Sequence, residues 1–351
     1  MWTRVVDLAN DNGTQTIPCL YSSRRAVGGV HDTILFYVRV HVMLSLACIG
    51  LIGNAFTLPV LSLELKPSST SFLLKSLAVA DSMVLIAFAW HNTFPAIYVY
   101  LGVLETYYEI HQIIDRYLYF FVWFSKSFAV YMIIAVAFER YIAVSKPLHA
   151  RSICTRKNAK IVVASITIFS IAYNLPIVWH FDLIYLIDHC TGASRPLSIP
   201  SDLSANNAYF NLIYNFVLFT LFSLVIPVTL LYFTGFHLIT SVRRTSANFA
   251  TGAGKDKREK EAYVVTFRVV IVIIVFLVLE TPTHVTNCLY IVLEHSNIGM
   301  SIDAGLVFHL LDYFAILSVV NSSVNFFIYL VTGAKFRRLF VKLIMSICCS
   351  K

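Results

Sequence analysis

Charge is scarce in this chain: Asp, Glu, Lys and Arg make up only 13% of its 351 residues, against roughly 25% in an average soluble domain. With 58% hydrophobic residues beside that shortage, soluble enzyme folds drop out and one domain of membrane helices is expected. No His, Asp or Glu cluster has the spacing of a metal or nucleophile site, so no enzyme chemistry and no metal centre are expected. His91, His284 and His309 are dispersed over three apolar segments and read as polar groups of a pocket. Inverted repeats and paired broken helices, the marks of many transporters, are also missing, which leaves a transporter only as an alternative. The net charge of +8 gives no reason to expect a nucleic-acid partner, because what matters is where the basic residues fall. Residues 1–37 contain no apolar core of signal-peptide length and read as an exposed tail, with a glycosylation acceptor at Asn12.

What the chain does have is seven apolar stretches, near 38–62, 70–95, 116–142, 157–180, 207–241, 262–293 and 304–331, each long enough to cross roughly 30 Å of hydrocarbon. The fold expected is an all-α bundle of seven transmembrane helices over 38–331, followed over 332–351 by a short amphipathic helix and tail. Lysine and arginine concentrate after the first, third and fifth stretches and in the tail, as at Lys66, Lys146, Arg151, Arg243, Arg244, Lys260 and Arg337. Those faces are read as cytoplasmic, which puts the N-terminus outside in agreement with the acceptor at Asn12.

The third stretch ends in Glu139, Arg140 and Tyr141. An unpaired charge at membrane depth is costly, so Arg140 belongs where the helix leaves the bilayer with Glu139 as its counter-ion. Further motifs follow in order: Gly53-Asn54, the run Leu77 to Asp81, Pro227, Phe276 with Pro282, and the run Asn321 to Tyr329. Together with the topology they resemble the rhodopsin-like (class A) G-protein-coupled receptors over roughly residues 38–345. Within that family, Leu175-Pro176, the run Ser152 to Thr155 and Asn321 to Tyr329 look like the invertebrate FMRFamide-type neuropeptide receptors.

The resemblance implies a receptor at the plasma membrane that binds an extracellular peptide, amidated and RFamide-like, and activates a heterotrimeric G protein. It implies that Arg140 is held by Glu139 at rest and freed when the sixth helix swings out, with Tyr141, Asn325 and Tyr329 taking part in coupling. Asn54, Asp81, Asn321 and Asn325 are expected to form a buried polar network, read either as a switch or as a static interhelical cluster. No cofactor is expected; relatives place sodium near this aspartate, but Ala129 stands where they usually supply a hydroxyl. A chemosensory receptor for small molecules is the alternative within the fold. An opsin is not expected, because the seventh stretch has no lysine and Val319 takes the approximate Schiff-base position.

One pair of charges answers to no such motif. Lys126 lies fourteen residues before Arg140, roughly 21 Å along the helix and too deep to snorkel. Glu280 lies two residues before Pro282, and aligning the two helices on their motifs brings both residues to similar depth on facing sides. An ion pair between them is expected beneath a pocket that also takes in His91, Tyr119, His284 and Asp312. Acidic residues such as Glu109, Asp115 and Asp182 crowd the outer half, which suits a basic ligand. Relatives tie the third helix to the second outer loop by a disulfide; here Asp115 replaces the helix cysteine, so Cys190 is expected to pair with Cys19, with Cys288 as the alternative. Cys348 and Cys349 follow the amphipathic helix and are palmitoylation candidates, and the basic loop 241–263 suits lipid head groups and a G-protein surface.

Overall fold

A computed structural model describes residues 16–17, 30–64, 68–101, 105–188, 192–250, 257–295 and 304–349. Among them are seven helices long and apolar enough to span a membrane. They are α1 (30–64), α2 (69–101), α3 (Glu105–Ser145), α4 (Arg156–Asn174), α5 (208–250), α6 (Lys257–His295) and α7 (Ala304–Thr332). The amphipathic α8 (Ala334–Cys349) follows. Local chemistry sets the starts of α2 and α4: Ser68 accepts a hydrogen bond from the Ser71 amide and Thr155 one from the Asn158 amide, each satisfying a donor that the first helical turn leaves free.

Several ends differ from the sequence expectation. α1 begins at Val30, inside the segment read as an exposed tail to residue 37. α3 reaches back to Glu105, well before the expected 116. The expected loop 241–263 is mostly helix, because α5 continues to Ala250 and α6 starts at Lys257. Neither Gly nor Pro interrupts 241–251, and Lys257 to Ala262 are strong helix formers, so the helices outrun the membrane. Pro227 does not break α5. The wider π turns 211–218 and 220–225 precede it, which lets the ladder absorb its missing donor.

α3 is the axial helix: 67% of its most apolar window is buried, against 17% for α1, α4 and α5, whose outer faces keep Ile52, Ile168 and Tyr232 exposed. The core packs Leu77 and Leu85 of α2, Met132 and Ile133 of α3, Phe276 of α6 and Tyr329 of α7. α1 approaches α7 at Gly50 and Gly53, where any Cβ would press on Ser323 or Phe326. Across one end lies a β-hairpin, β2 (Phe181–Asp188) with β3 (Ser194–Pro200), paired from Phe181↔Pro200 to Ile187↔Ser194. A two-residue strand, Thr16–Ile17, adds to β2 in parallel. The hairpin is fastened to α3 by an ion pair between Arg195 and Glu109 and by the Ser198 amide, which donates to Gln112 Oε1 at 3.0 Å.

Candidate functional site

α3 and α6 carry one buried charge each to the middle of the bundle. Lys126 Nζ lies 3.5 Å from Glu280 Oε2, and the two residues are 7% and 3% exposed. Ser318 of α7 donates to the same carboxylate oxygen at 3.0 Å, and His284 Nε2 stands 3.8 Å from it, one turn along α6. The ammonium also sits 5.7 Å from the ring centre of Phe88 and 5.5 Å from that of Trp123. Aromatic faces and one counter-ion thus replace the water that Lys126 gives up.

Between that floor and the hairpin, Tyr119 contacts Trp123 at 6.1 Å, Phe181 at 5.3 Å and His91 at 5.5 Å, measured between ring centres. His91 comes from a π turn of α2, Ala89–Thr93, and lies 3.5 Å from Asp115. One of the acids expected to present negative charge, Glu109, is already engaged by Arg195, while Asp115 faces His91 and His111. The face beneath the hairpin is therefore less acidic than the residue types alone imply.

At the opposite end Arg140 is held three ways. Its Nη2 lies 2.6 Å and its Nε 2.7 Å from Glu139 Oε2, and Nη2 also donates to the Thr70 hydroxyl, which itself donates to Glu139 Oε1 at 2.9 Å. Thr70 starts α2, so the cluster joins two helices. Burial, then the charge of Glu139, pushes the neighbouring Cys154 thiol above the usual cysteine range, and it stays a neutral donor toward the Glu139 carbonyl. Glu261, near the start of α6, faces Lys335 of α8 at 3.7 Å. Tyr141 packs on Phe233 and His237 of α5, at 5.6 and 5.3 Å between ring centres.

The expected polar network is smaller than its four members suggest. Asn325 donates to Asp81 Oδ2 at 2.7 Å, while Asn54 reaches the Ser322 carbonyl of α7 at 3.4 Å and Asn321 is buried one turn before Asn325. Asp81 is fully buried, and its Oδ1 and Asn54 Oδ1 accept no hydrogen bond among the described residues. Tyr329, 2% exposed, lies under the guanidinium of Arg268, 5.8 Å from its ring centre; the same cation faces Phe336 of α8 at 5.9 Å. Gly333 leaves the room for it, since a Cβ there would collide with Arg268 Nη2.

Asn12, Cys19 and Cys190 lie outside the described residues, as do the side chains of Asp312 and Cys349. Cys288 carries a free thiol 3.4 Å from the Thr220 hydroxyl. Cys348 is a free, exposed thiol on α8. Thr70, His111, Arg268 and Ser318 escaped the sequence reading. Arg268 had a signal, a guanidinium within an apolar stretch, and so had His111, one turn from Asp115; Thr70 and Ser318 look like ordinary helix hydroxyls until their partners are known.

Comparison with known proteins gives a consistent picture. A family model described as 7 transmembrane receptor (rhodopsin family) matches residues 53–329. The chain is 29% identical over 301 residues to an FMRFamide receptor of Drosophila melanogaster, an alignment covering 84% of this chain and 51% of that protein, so it spans about half the length of this relative. It is 25% identical over 320 residues to sex peptide receptor-related protein 2 of Caenorhabditis elegans, covering 84% of this chain and 68% of the relative. An allatostatin-A receptor of Bombyx mori is 24% identical over 301 residues, 84% of this chain and 76% of its own.

Proposed function

This chain belongs to the rhodopsin family of seven-transmembrane receptors, and on that premise we propose that it binds an extracellular amidated neuropeptide of RFamide type and activates a heterotrimeric G protein. It is a multi-pass membrane receptor rather than an enzyme. The hairpin end faces outward at the plasma membrane; the Arg140 end, flanked by Arg151, Arg156, Arg243 and Arg337, faces the cytoplasm and its anionic lipids. Peptide receptors among its relatives support the ligand class.

The observation that carries this reading is the Lys126–Glu280 pair beneath an aromatic wall. A peptide guanidinium descending past Tyr119 and Trp123 competes with Lys126 for Glu280, and a planar fork matches a carboxylate better than an ammonium does. His91 contributes higher on the wall and His284 beside the carboxylate, with Asp312 of α7 as a further candidate. Drawing Glu280 from Lys126 loosens α6 from α3. The ligand then favours a state with α6 displaced and Arg140 released from Glu139 and Thr70. Asp81 with Asn325, and Tyr329 beyond them, adjust along α7, while α8 rests on the membrane through acylated Cys348 and Cys349.

The test is a set of G-protein dissociation sensors in cells expressing the chain, challenged with a panel of amidated peptides. An RFamide peptide should dissociate at least one G protein, Arg140→Ala should abolish the response with surface expression retained, and Glu280→Gln should shift agonist potency. Silence to every peptide at good surface expression would overturn the ligand class, and responses untouched by Arg140→Ala would overturn the coupling role.

A further inference from the structure

Near the hairpin, three metal-ligating side chains converge outside both the ion-pair floor and the Arg140 cluster. His111 and Asp115 stand four residues apart on α3 and therefore on one face. His91 reaches them from the π turn of α2, a local widening of the kind that often marks a functional position. One ligand atom from each lies within 4.8 Å of the other two. His91 Nδ1 is 3.5 Å, and His111 Nε2 3.9 Å, from Asp115 Oδ1.

The groups are gathered without being satisfied. His91 Nδ1 and both ring nitrogens of His111 are buried with no hydrogen-bond partner among the described residues, although His111 is only 4% and Asp115 8% exposed. The imidazoles lie almost parallel, with centres 5.9 Å apart and planes at 26°. Buried polar atoms in folded proteins nearly always find partners, so His91 Nδ1 and His111 Nε2, both near the Asp115 carboxylate, call for a common one. A divalent cation at their centre accepts a lone pair from each ring and neutralises the carboxylate.

We propose that His91, His111 and Asp115 form a Zn²⁺ site that ties α2 to α3 at the hairpin end. Two imidazoles and a carboxylate suit zinc; calcium and magnesium prefer oxygen ligands in larger numbers. Bonds of about 2.0–2.2 Å in a tetrahedron set ligand atoms roughly 3.3–3.6 Å apart, so the His91–Asp115 edge already fits, the His111–Asp115 edge closes by a fraction of an ångström, and the His91–His111 edge, within 4.8 Å, closes by rotation of the rings. Three protein ligands leave the fourth position for water or for a donor on an incoming molecule. The site also adjoins the ligand wall: His91 stacks on Tyr119, and Gln112, between His111 and Asp115, holds the hairpin through Ser198. Zinc there stiffens the frame in which a ligand seats.

The full chain, purified in lipid nanodiscs and stripped with chelator, is titrated with Zn²⁺ against a chromophoric competitor and then followed by thermal unfolding. One equivalent of zinc should bind and raise the unfolding temperature, and Co²⁺ in its place should give the visible absorption of a four-coordinate site. His111→Ala and Asp115→Asn should each weaken binding by more than the about 10–100-fold that losing an outer-shell partner costs. His149→Ala, an exposed histidine near the Arg140 end, should change nothing. If either variant fails to fold, His91→Ala at its half-buried position takes its place. Absence of stoichiometric zinc, or binding equal in wild type and His111→Ala, would overturn the proposal and leave the cluster to hydration alone. None of these measurements depends on the identity of the peptide or G protein.

Discussion

Lys126 and Glu280 are each too deep in the bundle for water, and 3.5 Å apart each removes the other's penalty. Lys126→Met or Glu280→Leu alone should cost about 3–5 kcal/mol of stability by leaving one buried charge, whereas the double variant should recover most of it. Thermal unfolding with surface expression measures the cycle, and two single losses that simply add would refute the pairing. Thr70 acts at the other end. Replacing its hydroxyl with Thr70→Val removes one bond to Glu139 and one to Arg140, of about 1 kcal/mol each. Ligand-independent nucleotide exchange should rise several-fold in a basal G-protein assay, with surface expression unchanged. The ion pair was legible in the sequence because two isolated charges in apolar stretches have few ways to be buried. His111 was not, because its partner His91 belongs to another helix and is turned toward it by a π turn that no residue type announces.

Where α6, α7 and α8 meet, the packing depends on a missing side chain. Arg268, 1% exposed, lies over Tyr329 and Phe336, and Gly333 at the α7–α8 bend leaves space for its guanidinium. Gly333→Ala should lower stability by about 1–3 kcal/mol through overpacking, and Arg268→Ala in the same chain should relieve part of that loss; unfolding of the two single variants and the double decides it. This bracket holds α6 against α7, alongside the Glu261–Lys335 contact between α6 and α8. At this scale the spans were legible from hydropathy and α8 from its amphipathic pattern. Their ends were not, because α5 and α6 leave the apolar region without a Gly or Pro to stop them until Gly252. The hairpin was read only as a loop, since its seven-pair register depends on the α3 surface that anchors it.

Over the whole molecule, basic residues gather near the Arg140 end and the hairpin caps the other, the asymmetry on which the proposed orientation rests. If that orientation holds, Asn12 meets the glycosylation machinery. Endoglycosidase should then lower the apparent mass of the surface-expressed chain and leave Asn12→Gln unshifted, while an unshifted wild type would argue for the reverse insertion. The long inner ends of α5 and α6 carry a mechanical consequence. Only residues 251–256 join Ala250 to Lys257, a strap that reaches on the order of 25 Å when fully drawn out at 3.3–3.6 Å per residue. An outward swing of α6 is therefore leashed: past that reach it must drag the end of α5 with it or unwind a turn. On the proposed function, covalent chain length sets how far the end of α6 parts from that of α5 before either helix has to follow or unwind, whatever the strength of the ligand.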